Sequence, residues 1–354
     1  MGAPEISITF IEKGISAIKR GDRGIVALGL KDANVSGSYV VYPGGEVPEK
    51  LSDENKVYIQ KAMIGYQKTP KKIILYVMDS AGDLAEEYTK MKAYFETASF
   101  NWLAIPTVST DEKTEEIATW IKAQRANKRT VKAVLPNMPA DHEGIVNVAH
   151  SLYNGETEIK AEAVTPRIAG LIAGTPMTIS CTYAPLTDYT HCKRLTKEEL
   201  DTAVDSGKLA FMWDGEKVKV CRGVNSFQTT TDSKGDSFKK IKIVEIMDMI
   251  QDDIYMTAQD NYIGKYANSY DNKCLLITAI NAYFAELVRA GLLESGSCEI
   301  DIDAQRTYLA SKGTDVEDMS DDEIKVANTG SEVFLKGNLS ILDAMEDIDF
   351  EIYI

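Results

Sequence analysis

Residues Lys71 to Met78 read KKIILYVM, and within them the unbroken apolar run Ile73, Ile74, Leu75, Tyr76, Val77 decides the fold. A strand with one face in water alternates apolar and polar residues, whereas a strand apolar at every position is covered on both faces, as in a parallel sheet flanked by helices. The pattern repeats outward from this run. Gly24 to Leu30, Trp102 to Ile105 and Val131 to Leu135 are further short apolar segments. Between them lie amphipathic stretches at Asp53 to Tyr66, Asp83 to Thr97 and Asp111 to Asn127, each long enough for a crossover helix. Asp83 and Asp111 are the expected N-caps, with Glu86 placed as in a capping box, and Pro106, Pro136 and Pro139 punctuate the strand ends. The first half is therefore expected to be α/β, a mostly parallel sheet with flanking helices.

After about Thr165 the rhythm changes. Leu209, Phe211 and Trp213, then Asp214-Gly215, then Val218 and Val220, read as a hairpin. Two long helices are expected to follow. Phe238 to Asp260 carries Ile243, Met247, Ile250 and Ile254 on one face, and Asn272 to Leu293 carries Leu276, Ile280, Tyr283 and Leu287, closed by Gly291. Ser297 to Asp303 reads as another strand before the acidic stretch Asp315 to Glu323. These features describe an α+β second domain. The expected segmentation is an N-terminal arm over residues 1–20, an α/β domain over 21–180, an α+β domain over 181–340 and a C-terminal arm over 341–354.

The 354 residues suffice for two domains, and 44% apolar with 26% charged residues is the balance of a folding globular chain. A formal charge of −15 disfavours nucleic acid and anionic membranes as partners, since each adds like-charge repulsion. No stretch approaches the roughly 20 apolar residues of a membrane span, and residues 1–20 do not read as a signal peptide. Cys181, Cys192, Cys221, Cys274 and Cys298 are odd in number and scattered, which fits reduced, cytoplasmic thiols.

Catalytic patterns are missing. His142, His150 and His191 lack the spacing of a zinc-binding helix, and Cys181 and Cys192 are too far apart in sequence for a paired-thiolate metal motif. Gly264-Lys265 lacks the upstream glycine of a phosphate loop, and Gly170 with Gly174 lacks the third glycine of a dinucleotide loop. The acid pairs Asp252-Asp253 and Asp321-Asp322 read as solvated helix faces, and Met247, Met249 and Met256 as helix core. No catalytic residue, metal site or cofactor is expected.

The two ends carry more. Ile6, Ile8 and Phe10 alternate with polar residues, and so do Ile348, Phe350, Ile352 and Ile354, which is a strand pattern at each end. Each end either completes its own domain's sheet or joins the sheet of a neighbouring subunit by β-augmentation. Lys13, Lys19, Arg20 and Arg23 follow the first arm, while Asp343, Glu346 and Asp347 precede the last, so opposite ends are candidates for electrostatic contact between subunits.

Several runs resemble the sheath proteins of contractile phage tails: Ala169 to Pro176 (AGLIAGTP), Ser180 to Leu186 (SCTYAPL), Val224 to Thr231 (VNSFQTTT), Ile241 to Tyr266, Leu275 to Leu293 and Phe334 to Ile354. Gly2 to Phe10 (GAPEISITF) and Arg23 to Leu28 (RGIVAL) are also similar. The likeness is strongest from Thr165 onward and extends to the sheaths of R-type bacteriocins, or tailocins, of the diffocin kind. It implies a structural subunit that polymerises as stacked six-membered rings around an inner tube and contracts to drive the tube through a cell envelope. The implied partners are further copies of the chain, the tail tube protein, and the baseplate and tail terminator proteins, with assembly in the bacterial cytoplasm before release in a particle. In the family the C-terminal domain lies against the tube and the α/β domain lies outside, and both arms pair with strands of neighbours. The alternatives that composition leaves open are a discrete homo-oligomeric binding protein and an α/β enzyme.

Overall fold

The computed structural model describes residues 17–21 and 23–354. Ile6, Ile8, Phe10 and Lys13 therefore lie outside the described residues. The chain divides into a large compact unit, residues 21–251 with 343–354, and a small one holding residues 252–342 and the described residues before Gly21. These units are drawn differently from the expected segments, which placed a boundary at 180/181.

In chain order the large unit begins β1 (Ile25–Asp32), β2 (Gly37–Val41), α1 (Asp53–Ile64), β3 (Lys72–Asp79), α2 (Leu84–Thr97), β4 (Trp102–Ala104), α3 (Thr114–Ala126), β5 (Lys132–Pro136) and β6 (Ile145–Val148). It continues β7 (Leu152–Asn154), β8 (Thr157–Ile159), α4 (Ala161–Ala173), β9 (His191–Cys192), α5 (Lys197–Asp205), β10 (Lys208–Leu209), β11 (Phe211–Trp213), β12 (Val218–Val220) and the start of α6 (Ile241–Asn261). The main sheet has the order β10-β6-β5-β4-β1-β3-β2, parallel except for β2, which runs antiparallel to β3.

Alternation along each strand sends successive side chains to opposite faces, and both faces are covered. Val26, Leu28, Ile73, Leu75 and Trp102 share one core with Ile59 of α1 and Val164 and Ile168 of α4. Ala27, Ile74, Leu103 and Ala133 share the other with Tyr88, Met91 and Phe95 of α2 and Ile117 and Ile121 of α3. Burial on both sides is the physical reason that KKIILYVM carries no alternation.

One of the two expected N-caps needs correction. Asp111 does not cap α3. That helix starts at Thr114 with Lys113 at the cap position, while Asp111 is buried and accepts hydrogen bonds from Lys31, from Tyr88 Oη at 2.8 Å and from Thr107 Oγ1 at 2.8 Å. Asp83 does cap α2, accepting from Glu86 N at 3.0 Å.

The glycines of AGLIAGTP have a packing role. A Cβ on Gly170 would lie 1.8 Å from the Ala62 carbonyl oxygen, so α4 crosses α1 at backbone contact, and one on Gly174 would lie 2.0 Å from the Lys68 carbonyl oxygen. Gly170→Val is accordingly expected to force α1 and α4 apart and to cost about 3 kcal/mol or more, read as a lowered denaturant midpoint. An unchanged midpoint would show that this crossing yields freely.

The small unit contains α7 (Tyr270–Arg289), β13 (Leu293–Ile300), α8 (Ile302–Ser311), α9 (Asp321–Val326) and β14 (Leu335–Ile341). β13 pairs antiparallel with β14, and α7 covers one face, with Tyr283, Phe284 and Leu287 buried. The expected strand over Ser297 to Asp303 ends at Ile300, because Asp301 caps α8 by accepting from Ala304 N at 3.0 Å. Asp253 is buried and takes a 2.6 Å hydrogen bond from Tyr283 Oη, so it is no solvated acid; Met256, 53% exposed, is not core.

Candidate assembly interface

The C-terminal tail has an anchored root and an exposed end. Asp343 pairs with Lys240, Asp347 pairs with Arg222, and Glu346 lies 3.8 Å from Lys240 Nζ and 3.9 Å from Arg222 Nε while Thr182 Oγ1 donates to it. Only 7% of the Glu346 side chain is exposed, so this carboxylate works as a peg in the large unit. Its socket is built locally. Gly223 N donates to Thr182 Oγ1 at 2.9 Å, and a Cβ on Gly223 would meet Cys181 Sγ at 2.9 Å. Burial, with the Glu346 charge adding, pushes the Cys181 thiol up to about 12, so it is an inert buried thiol.

The adjoining VNSFQTTT run stitches that region together. Asn225 donates to Phe238 O at 2.7 Å and accepts from Phe227 N at 2.9 Å, and Ser226 Oγ donates to His142 O at 3.0 Å.

Beyond the root, residues 348–354 take neither helix nor strand. Ile348, Phe350 and Ile352 are 84%, 78% and 71% exposed. Large apolar side chains left this open mark an interaction segment. β14 offers a matching feature, because among the described residues it has a partner strand on one side only and its middle residues are exposed. An unpaired edge is a template for another strand.

The crevice where an α/β sheet usually takes a ligand lies at the carboxyl ends of β1 and β4, where the strand order reverses. There charged side chains of the chain engage one another and nearby backbone, beside a cavity of about 230 Å³ lined by Ser109, Pro136 and Glu162. Lys31 pairs with Asp111, and the Glu162 carboxylate accepts from the backbone N–H groups of Ser109 and Thr110, each at 3.0 Å, and from Thr110 Oγ1 at 2.7 Å. A fixed carboxylate occupies the donors that would otherwise suit an anion.

A second charged cluster ties β5 to α6. Lys132 is fully buried, pairs with Asp248, lies 2.8 Å from Glu245 Oε1 and sits 5.2 Å from the Trp102 ring centroid. Arg125 of α3 makes a two-pronged contact to Asp248, 3.0 Å to each oxygen. Burial raises the Asp248 carboxyl, but Lys132 and Arg125 outweigh it and hold the group below its ordinary 3.8.

The remaining sequence candidates are scattered. His142 is lowered to about 4 by burial, His150 is lowered for the same reason, and His191 stacks on Tyr153 at 4.6 Å. Among the described residues no cluster of His, Cys, Asp or Glu could hold a metal ion, and no helix is long and apolar enough to cross a membrane. Lys19 and Arg20 are exposed, and Arg23 is half-buried. The partners that the acids Asp343, Glu346 and Asp347 do find, Lys240, Arg222 and Thr182, were not among the sequence candidates.

The described residues thus combine an anchored tail root, an exposed apolar tail end and a strand edge without a partner. Residues 82–226 match the phage tail sheath protein central domain and residues 233–354 the phage tail sheath C-terminal domain. The chain is 38% identical over 361 aligned positions to the tail sheath protein of Clostridium phage phiCD119, covering 99% of each. This chain belongs to the phage tail sheath protein family. Its fold is similar to that of the sheath tail protein from Desulfitobacterium hafniense, at TM-score 0.70 and 18% identity over 84% of this chain and 94% of that one. It is also similar to a chain of the anti-feeding prophage helical sheath in its contracted state, at TM-score 0.72 and 12% identity over 100% and 99% of the two chains.

Proposed function

We propose that this chain is the repeating subunit of a contractile sleeve, stacked as six-membered rings around a rigid inner tube and bounded by baseplate and terminator proteins. Contraction of the sleeve drives the tube through a target envelope. The subunit assembles in the bacterial cytoplasm and leaves in a released particle. The observation that carries this reading is the tail, rooted by a nearly buried Glu346 and leaving Ile348, Phe350 and Ile352 in solvent. Each arm lies along the sheet of a neighbour, and β14 supplies the open edge.

The work of contraction comes from packing. The extended sleeve is a metastable arrangement, and rigid units rotate into a lattice with more buried contact while the arms stay paired. A structural role is supported by the crevice groups being engaged within the chain, Asp111 by Lys31 and Glu162 by the Ser109 and Thr110 N–H groups. The test is negative-stain electron microscopy of the full chain alone and mixed with its tube protein. Ribbed sleeves on tubes are expected; closed particles of fixed size under every condition would replace the sleeve with a discrete oligomer.

A further inference from the structure

The large unit carries a cavity of about 520 Å³ between the last turns of α3, the segment leading into β6, Lys234 with Phe238, and α6. Its charge opposes that of the chain. Five cations line it, Lys122, Arg125, Lys128, Arg129 and Lys234, against two acids, Glu143 and Asp248, in a chain of net charge −15. Both acids are already paired, Glu143 with Lys234 at 2.9 Å and Asp248 with Arg125 and Lys132. Three cations are left over. Lys122 Nζ donates to Ala140 O at 2.5 Å, Arg129 donates to Phe95 O, Ala98 O and Gln124 Oε1, and Lys128 is exposed. Neutral acceptors satisfy the hydrogen bonds of such groups and leave their charge uncompensated. Among the described residues none of these three makes an ion pair.

The same lining holds further hydrogen-bonding groups. Gly144 N donates to His142 Nδ1 at 3.0 Å, which leaves the neutral ring's proton on Nε2. Arg125 Nε makes no hydrogen bond, and a Cβ on Gly144 would overlap Arg125 Cδ, so the glycine is what lets this side chain lie against the backbone there. Glu143 Oε2 has no donor. Surplus positive charge asks for an anion, and a carboxylate in the same wall disfavours any anion that cannot give it a proton. Hydrogen phosphate meets both conditions at neutral pH, being doubly charged yet keeping one P–O–H. Sulfate has the same shape and charge and no hydroxyl. A side-chain carboxylate of a protein partner has neither the second charge nor the proton.

We propose that this cavity is a binding site for inorganic hydrogen phosphate, whose oxygens accept from Lys122, Lys128 and Arg125 and whose hydroxyl donates to Glu143. The bound anion neutralises the surplus charge and ties the last turn of α3 to the segment that carries Glu143. The site belongs to the single chain and does not depend on the sleeve reading.

The test uses the full chain at neutral pH in buffer free of phosphate and sulfate, with ionic strength held constant by sodium chloride, and reads titration calorimetry and the thermal midpoint. Saturable binding of one phosphate per chain is expected, with the midpoint rising as phosphate is added. Sulfate should bind at least roughly ten-fold more weakly, because a site built around a ligand hydroxyl rejects the analogue that lacks it. Lys122→Met combined with Lys128→Met, which keeps the apolar stems and breaks no ion pair, should weaken phosphate roughly ten-fold or more. Glu143→Gln should weaken phosphate and strengthen sulfate, narrowing or inverting the preference, a change that a purely structural role of Glu143 would not produce. If Glu143→Gln does not fold, the double lysine variant and the phosphate-to-sulfate ratio of the parent decide the matter. Equal response of the parent to phosphate and sulfate would reduce the site to diffuse screening of lysines. Absence of saturable phosphate binding would overturn it, and if a peptide of residues 315–323 bound instead, the cavity would be a contact for an acidic segment of another copy.

Discussion

Deleting residues 348–354 is expected to abolish sleeves while leaving the thermal midpoint of the isolated chain unchanged. The second half follows from exposure. Side chains already in solvent lose nothing on removal, and surface changes of this kind stay within about 0.5 kcal/mol. The first half follows from what those side chains gain in a lattice. Burying the apolar residues of one arm is worth about 6–12 kcal/mol in gross terms, and fixing seven backbone residues costs about 7–14 kcal/mol. The two nearly cancel, so a single arm barely holds a single neighbour. Once other contacts fix both subunits, docking is effectively intramolecular, and many arms act together. Electron microscopy and sedimentation of the truncated chain with tube protein check this. Ile348→Ser, Phe350→Ser and Ile352→Ser combined should reproduce the loss with the tail length kept. Normal sleeves from either variant would mean that the arm is dispensable.

What the sequence displayed, and what it hid, follows from how far each interaction reaches along the chain. β1, β3, β4 and β5 are legible because two-sided burial writes itself into consecutive residues. The alternation of the tail is equally local, but residues 348–354 pair with no strand among the described residues. α4 is absent from the sequence expectation because nearly every residue of it is buried, Pro166 included, so no amphipathic stripe forms. Asp111 misleads because its partners, Lys31 and Tyr88, lie 80 and 23 residues away, and only the fold makes it a buried acceptor. The socket for Glu346 is hidden in the same way, as Arg222 and Lys240 are ordinary surface-type residues until the chain returns to them. One trace was available: Lys132 interrupts the apolar run of β5, and Asp248 falls among the isoleucines of α6. A charge at a core position asks for a partner, and each supplies the other.

That pair gives the second large effect. Asp248→Asn is expected to destabilise the large unit by about 3–5 kcal/mol, because it leaves Lys132 and Arg125 buried with much of their counter-charge gone. The cost should be recoverable. Lys132→Met added to Asp248→Asn removes the stranded ammonium, so the double variant should be more stable than Asp248→Asn alone, and the two changes should be strongly non-additive. The pH dependence separates this carboxylate from its surroundings. The Asp248 carboxyl is held below 3.8 in the folded chain, so its contribution is complete above that value and is lost as pH falls through the lower folded value. His142, lowered from 6.5 to about 4, acts at higher pH: the unfolded chain takes up the proton first, so stability declines between about 6.5 and about 4. Chemical denaturation across pH should therefore show the same decline above pH 4 in the parent and in Asp248→Asn, offset by a constant amount, with the two curves converging only below it. Parallel curves down to the lowest pH would show that the Asp248 charge does not hold β5 against α6.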